Sequence, residues 1–282
     1  MQNPSLPPSM DIKLLVVDID GTIAGHDNTV SEAVQTAIKQ VQAQGIQVAV
    51  ATGRMYRSAL RFHQQIASQL PIIAYQGAWI QDPISQHRHR HLPVERQMVE
   101  EVLDYLEQPD LLSLLSVHFY INDELYVRQI TKDTEMYAER SGIKPIAVGD
   151  LRQVMEIEPT KILALTPDPK ITDYLLKSLR DRYHPSQLYL TKSVSTFFEA
   201  AHPQVNKGGA VRYLAEEILQ LRPENVMAIG DNFNDVEMIA YAGIGVAMGD
   251  APPEVQQRAD WVAPSVEEDG VAIAIEKFLL LN

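Results

Sequence analysis

The chain has 282 residues, 45% apolar and 22% charged, which excludes low complexity and wholesale disorder and leaves room for one large domain or two ordinary ones. Cysteine is absent, so disulfides, zinc–thiolate sites, iron–sulfur clusters and cysteine nucleophiles are excluded. A net charge of −13 argues against a nucleic-acid partner, and no apolar run approaches the roughly 18 residues of a membrane span.

Residues 1–9 are rich in Pro, Ser and Asn and read as a loose N-terminal extension. The start has neither the basic region nor the apolar stretch of a secretory signal, so the expected compartment is cytoplasmic. Leu14-Leu15-Val16-Val17 is a short continuous apolar run, as in a strand buried on both faces. Thr29-Val30-Ser31-Glu32 offers a capping box. Val34, Ala37, Ile38 and Val41 follow at helical spacing, and Gly45 supplies a stop. Residues 46–51 read as a strand, 55–68 as a helix and 72–74 as a third strand. The middle of the chain differs, with strands expected at 87–92, 114–121, 125–130, 160–166, 188–192 and 196–201. Helices are expected near 94–107, 131–141 and 169–183. Asn122-Asp123-Glu124 joins two of these strands as a hairpin, so part of that sheet is antiparallel. Beyond residue 200 the alternation resumes: helix 207–221, strand 226–229, helix 235–241, strand 244–247, helix 252–258, strand 260–262 and helix 270–281. The pattern predicts an α/β protein. Residues 1–82 and 200–282 form a Rossmann-like core with a parallel sheet and helices on both faces, and 83–199 form an inserted α/β domain.

Asp18-Ile19-Asp20-Gly21-Thr22 follows directly on the first strand. The carboxyl end of a strand in an open α/β sheet is where ligands bind, although an Asx turn or a helix cap also accounts for an aspartate there. Gly230-Asp231-Asn232-Phe233-Asn234-Asp235 follows a second buried strand in the same way. Asp235 is also a plausible N-cap, a role that leaves Asp231 unexplained. If the two strands are neighbours, Asp18, Asp20 and Asp231 converge, and their mutual repulsion calls for a cation; oxygen-only ligands suit Mg²⁺. Thr52-Gly53-Arg54 opens a helix and offers a hydroxyl and backbone N–H groups to an anion, although an N-cap threonine is the simpler reading of that segment alone. Lys207 stands in the first turn of a helix, against the dipole, which suggests a partner anion.

In that order these four segments resemble the signature of the haloacid dehalogenase (HAD) superfamily: D-x-D-G-T at 18–22, T-G-R at 52–54, Lys207 before Gly208, and G-D-N-x-N-D at 230–235. The insertion falls where members with the type IIB α/β cap carry theirs. Tyr75-Gln76-Gly77-Ala78, the approach from His202 to Gly208, and Glu268-Asp269-Gly270-Val271-Ala272 are similar to segments of Cof-like hydrolases. Gln76 and Val266 depart from that pattern, each standing where Asn is common. The resemblance implies an α/β core with a cap domain and a phosphatase that uses Mg²⁺ and acts on a small phosphorylated metabolite, many relatives acting on sugar phosphates. A monomer or homodimer is expected.

It further implies roles. Asp18 attacks phosphorus, and Asp20 serves as acid and then base. Asp18, the backbone carbonyl of Asp20, and Asp231 hold the metal. Thr52 and Lys207 hold the phosphoryl oxygens, with Gly53 and Arg54 beside them, and Asp235 and Asn234 support from behind. A phosphomutase and a silent binding protein on the same fold are the alternatives. Elsewhere, His87-Arg88-His89-Arg90-His91 reads as a solvated edge strand of the cap, His118 and His202 as structural, and Trp79 as packing at the domain junction.

Overall fold

The computed structural model describes residues 11–192 and 194–280. The expected extension at 1–9 lies outside them, as does Leu281 at the end of the last expected helix. The strands run β1 (Leu14–Val17), β2 (Gln47–Val50), β3 (Ile72–Ala74), β4 (Trp79–Gln81) and β5 (Arg88–His91). Next come β6 (Ser116–Ile121), β7 (Glu124–Val127), β8 (Pro145–Ala147), β9 (Lys161–Leu165), β10 (Tyr189–Lys192) and β11 (Phe197–Ala201). The chain closes with β12 (Val226–Gly230), β13 (Ile244–Ala247) and β14 (Trp261–Val262).

A five-stranded sheet in the order β14-β13-β12-β1-β2 is parallel throughout. Its strands alternate between two apolar layers. Leu15 and Val17 pack with Val34, Ile38 and Val41 of the helix Glu32–Ala43 and with Val271 and Ile275 of the helix Gly270–Ile275. Leu14 and Val16 pack on the other side with Val211 and Leu214. This is why β1 reads as an unbroken apolar run. Each side chain so buried contributes roughly 1.5–3 kcal/mol. The chain leaves β1 toward β2 on one side and has β12 on the other, so the order reverses at the carboxyl end of β1, the place where such sheets bind ligands.

Two local expectations change. The cap of the helix Glu32–Ala43 is Ser31, whose hydroxyl accepts the Val34 N–H at 3.2 Å. Thr29 is taken by Asp27, which accepts its N–H at 3.0 Å. The helix from Lys207 runs to Arg212 and then widens into a π-helical turn over Tyr213–Ile218. Strands β3, β4 and β5 form a separate antiparallel sheet, tied to the parallel one by a bridge between Ala51 and Ile73. The histidine-rich strand is therefore an edge strand as expected, but it pairs with β4 and not with the cap sheet. Trp79 is buried at this junction against Tyr56 and Tyr75. His118 is buried, with Nε2 2.9 Å from the Thr134 hydroxyl.

The inserted α/β cap is a six-stranded mixed sheet in the order β10-β11-β9-β6-β7-β8, antiparallel except where β7 meets β8. Helices Arg96–Leu106 and Pro169–Arg182 cover one face through Val99, Leu103, Leu175 and Leu179. The other face looks at the core, and Tyr120, Leu163 and Leu165 join the core's apolar layer. The hairpin turn between β6 and β7 is only Asn122-Asp123, with φ of 50° and 62°, a left-handed pair that Asn and Asp tolerate.

That turn reaches the core. The helix Tyr56–Gln65 has no cap of its own. Asp123 supplies one, accepting the Tyr56 N–H at 2.9 Å and the Arg57 N–H at 2.7 Å, with the Tyr75 hydroxyl donating to it at 2.7 Å. Asp123→Ala is expected to lower stability by about 2 kcal/mol in urea unfolding, the loss of a helix cap and a buried hydroxyl partner. A loss below about 0.5 kcal/mol would show that the turn merely rests on the helix.

Candidate active site

The parallel pairing of β1 with β12 sets the two acidic loops side by side. Gly21 has φ of +77°, and a side chain there would run into the carboxylate of Asp231. Thr22 directs its hydroxyl at Asp231 Oδ1 at 3.4 Å. In the second loop, Asp235 Oδ2 accepts the N–H groups of Asp231 and Asn232 at 3.0 and 3.1 Å. The N-cap reading of Asp235 does not hold, since its side chain caps no N–H of the helix that follows: Oδ2 closes back onto its own loop, where Asn232 is the cap, and Oδ1 faces a lysine.

That lysine is Lys207. Its Nζ lies 2.6 Å from Asp235 Oδ1 and 2.9 Å from Asp18 Oδ1. Lys207 and Asp235 are 0% exposed and Asp18 4%. Gly208 permits the approach, since a Cβ there would stand 2.6 Å from the Glu237 backbone. The cation at the wrong end of its helix is explained by the two carboxylates that receive it.

Burial penalises every charge here. Burial drives the Asp18 carboxyl well above the usual range, the charges of Asp235 and Asp231 push the same way, and Lys207 opposes them. Burial alone would depress the Lys207 ammonium, but the charges of Asp18 and Asp235 override it and raise its proton affinity. Burial and then the charge of Asp235 push Asp231 up to about 7. Asp20 behaves oppositely. Burial raises it, yet the hydrogen bonds and charge of Arg54, with Arg140 adding to them, bring it below the ordinary value.

Arg54 is placed differently from the expectation. Its guanidinium turns to Asp20, with Nε and Nη2 at 2.7 and 2.6 Å from the two carboxylate oxygens, and stacks on Phe62. Arg140, from the cap helix Lys132–Ser141, reaches the same carboxylate at 3.4 Å. The backbone of Arg54 still shapes the anion site, since its N–H donates to the Thr52 hydroxyl at 3.2 Å. Thr52 is buried, and Gly53 lies against the side chain of Gln76. Gln76 accepts from Asn234 at 2.9 Å, so the residue that departs from the family pattern links the Gly53 segment to the loop after β12.

Carboxylate oxygens of Asp18, Asp231 and Asp235 lie within 4.8 Å of one another. Both oxygens of Asp235 are committed to Lys207 and to backbone N–H groups, which leaves Asp18 and Asp231 to face a cation. Their raised proton affinities are what two buried carboxylates show without one, and an all-oxygen donor set fits a hard divalent ion. The carboxylate of Asp20 stays outside the cluster, held by its arginines.

Asp18, Asp20, Thr52 and Asp231 open into a cavity of about 450 Å³ roofed by the cap. His202 does not line it. Sequence reading missed the roof: Tyr137 and Arg140 from the cap helix, and Lys161 and Glu199 from β9 and β11. A signal existed, because Lys161 and Glu199 are charges within otherwise apolar strand segments, KILAL and FFEAA.

Fold and geometry place the candidate site at the carboxyl edge of a parallel sheet, beneath an inserted cap. A family profile for haloacid dehalogenase-like hydrolases matches residues 15–275. The chain belongs to that family. A putative phosphatase of Haemophilus influenzae is 30% identical over 271 residues, covering 95% of this chain and 98% of the relative. A Bacillus subtilis relative named 5-amino-6-(5-phospho-D-ribitylamino)uracil phosphatase is 27% identical, with 95% and 98% covered. Among solved structures, a haloacid dehalogenase-like hydrolase from Bacteroides thetaiotaomicron superposes with a TM-score of 0.85 at 25% identity, covering 94% of this chain and 99% of its own. A subclass IIB sugar phosphatase shares the fold with a TM-score of 0.79 at 19% identity, covering 95% and 99%. Among the described residues no helix is long and apolar enough to cross a membrane.

Lys207→Met strands two buried carboxylates and is expected to lower stability by about 3 kcal/mol or more at neutral pH. The loss should shrink as pH falls toward about 5, because the Asp18 carboxyl takes up a proton more readily in the folded chain than in the unfolded one. Urea unfolding at two pH values checks this, and a pH-independent loss below about 1 kcal/mol would contradict it.

Proposed function

We propose that the chain is a Mg²⁺-dependent phosphatase for phosphate monoesters of small metabolites, sugar phosphates foremost. The observation that carries this reading is the Asp18 carboxylate, ion-paired to buried Lys207 at 2.9 Å and open to the cavity beside Thr52 and Asp231. A nucleophile held by one fixed cation, with an anion site adjacent, is built for phosphoryl transfer and leaves little else to explain.

Lys207 fixes one Asp18 oxygen, and the other attacks phosphorus. The phosphorus–ester bond breaks, and the leaving alcohol oxygen takes a proton from Asp20. Water then attacks the aspartyl-phosphate and gives its proton to Asp20, and the bond to Asp18 breaks to release inorganic phosphate. Lys207 and the Thr52 hydroxyl stabilise charge on the transferring oxygens. Bound between Asp18, the Asp20 backbone carbonyl and Asp231, Mg²⁺ would supply the positive charge that lets a carboxylate meet a dianionic ester.

Asp20 is held ionised by Arg54 and Arg140. To act first as an acid it must take up a proton, and the arriving phosphate dianion favours that, whereas the arginines oppose it. Asp20 also favours an alcohol leaving group, which sets hydrolysis and mutase chemistry above dehalogenation. Retention of Asp18, Asp20, Lys207 and Asp231 together argues against a silent binder.

The test is inorganic phosphate release from a panel of monoesters, with Mg²⁺ or chelator. Asp18→Asn is expected to reduce release at least about a thousandfold, and chelator to abolish it. Release that survives either change would overturn the reading. Mg²⁺ affinity should rise with pH through about 7, because Asp231 must lose its proton to bind the ion. Calorimetric titration in buffers of different ionisation heat should show proton release below that pH, and none would count against Asp231 as a ligand.

A further inference from the structure

Three left-handed residues follow one another after β3, with φ of 50° at Tyr75, 59° at Gln76 and 96° at Gly77. Glycine adopts that backbone freely, and among other residues Asn and Asp favour it, so a glutamine there costs more than an asparagine would. The anion loop holds the turn in place. The Tyr75 N–H donates to the Arg54 carbonyl and the Gln76 N–H to the Thr52 carbonyl, both at 2.9 Å. The Tyr75 hydroxyl anchors the same turn to Asp123 at 2.7 Å. Strained residues that their surroundings hold in this way cluster at functional sites.

What the glutamine brings is the reach of its side chain. Gln76 is 4% exposed and lines the cavity with Asp18, Thr52 and Gly53. Its Oε1 accepts from Asn234 at 2.9 Å, and its Nε2 turns to Gly53, where a Cβ would stand only 2.4 Å away. A carboxamide nitrogen carries two donors. Among the described residues Nε2 has no acceptor, and it is not sealed off from the cavity. A side chain that only braced Asn234 would need its oxygen alone, and idle N–H groups in a buried place cost free energy. The guanidinium expected on this edge of the anion site is elsewhere, because Arg54 has turned to Asp20. A hydrogen bond from a neutral donor to an ionised phosphoryl oxygen is charge-assisted, and it brings no cation to compete for the nearby carboxylates.

We infer that Gln76 is a further phosphate-binding residue: Asn234 orients its carboxamide, and an Nε2–H donates to an oxygen of the phosphoryl group held at Thr52 and Gly53. This rests on the phosphatase reading and adds to that site a donor that lies outside the signature segments at 18–22, 52–54, 207–208 and 230–235. It also accounts for the departure from Asn at this position. An asparagine is one methylene shorter and gives up part of the span between Asn234 and Gly53.

The experiment compares Q76E and Q76N with the unaltered chain at about pH 8, above the ordinary range of a carboxyl. It measures binding of inorganic phosphate to the Mg²⁺-loaded chain by calorimetry, and kcat/KM for para-nitrophenyl phosphate. Q76E keeps an oxygen for Asn234 and sets a second one where the donor stands, so phosphate affinity is expected to fall at least about a hundredfold. Q76N suits the left-handed backbone, so urea unfolding should find it at least as stable as the unaltered chain. Phosphate should nonetheless bind it about tenfold more weakly, with a matching fall in kcat/KM. Phosphate affinity within about twofold of the unaltered chain in either variant would overturn the assignment, Q76E being the variant that a mere brace for Asn234 tolerates. An unaltered chain that neither binds inorganic phosphate nor releases it from the aryl ester would instead overturn the phosphatase reading beneath it.

Discussion

The structure is organised around one buried cation. Lys207 has no exposed surface and lies between Asp18 and Asp235. A lysine so placed is tolerable only because two carboxylates meet it, and they are tolerable only because it is there. The three residues come from three separated segments: the end of β1, the start of a helix, and the loop after β12. Their meeting depends on the parallel register of β1 and β12 and on the small residue at 208, which lets two helices close on one another. The second oxygen of Asp235 is tied to the N–H groups of its own loop, so the loop cannot shift without disturbing the lysine. The arrangement is preorganised, which is what charge stabilisation in catalysis requires.

The parallel core was largely legible in the sequence because its physics is local. Strands buried on both faces read as apolar runs, and Leu14 to Val17 divide between two layers as that reading demands. Two short elements were not legible. Trp79–Gln81 and Pro145–Ala147 are three-residue strands defined by their partners, with too little pattern of their own. Asp18, Asp231 and Lys207 were readable as a group because each departs from a bland explanation: acids at strand ends, and a lysine against a helix dipole. Arg54 was misplaced because its adjacency to Thr52-Gly53 suggested an anion site. The nearness of Asp20 depends on how the ends of β1 and β2 align, which no local pattern displays. The cap residues were unread for the same reason, since Lys161 and Glu199 come together only through the pairing of β9 with β11.

The cap is more than a cover. Its hairpin turn supplies the missing cap of the helix Tyr56–Gln65 through Asp123, and its helix Lys132–Ser141 sends Arg140 to Asp20. The first contact is backbone-directed and buried, so it fixes where the cap sits. The second is an exposed charge contact on the acid/base candidate, weak in energy and placed where substrate must enter. Cap position and the charge state of Asp20 are therefore linked through Arg140.

The central claim is that Asp18 carries the phosphoryl group. It is tested most directly by acid-quenching the chain during turnover of a phosphate monoester with Mg²⁺ and reading the peptide that contains Asp18 by mass spectrometry. The account predicts that this peptide gains one phosphoryl group, that the gain is sensitive to hydroxylamine, and that it is missing in the Asp18→Asn protein. Rapid phosphate release with no label on that peptide, when a known aspartyl-phosphate survives the same quench, would contradict the account.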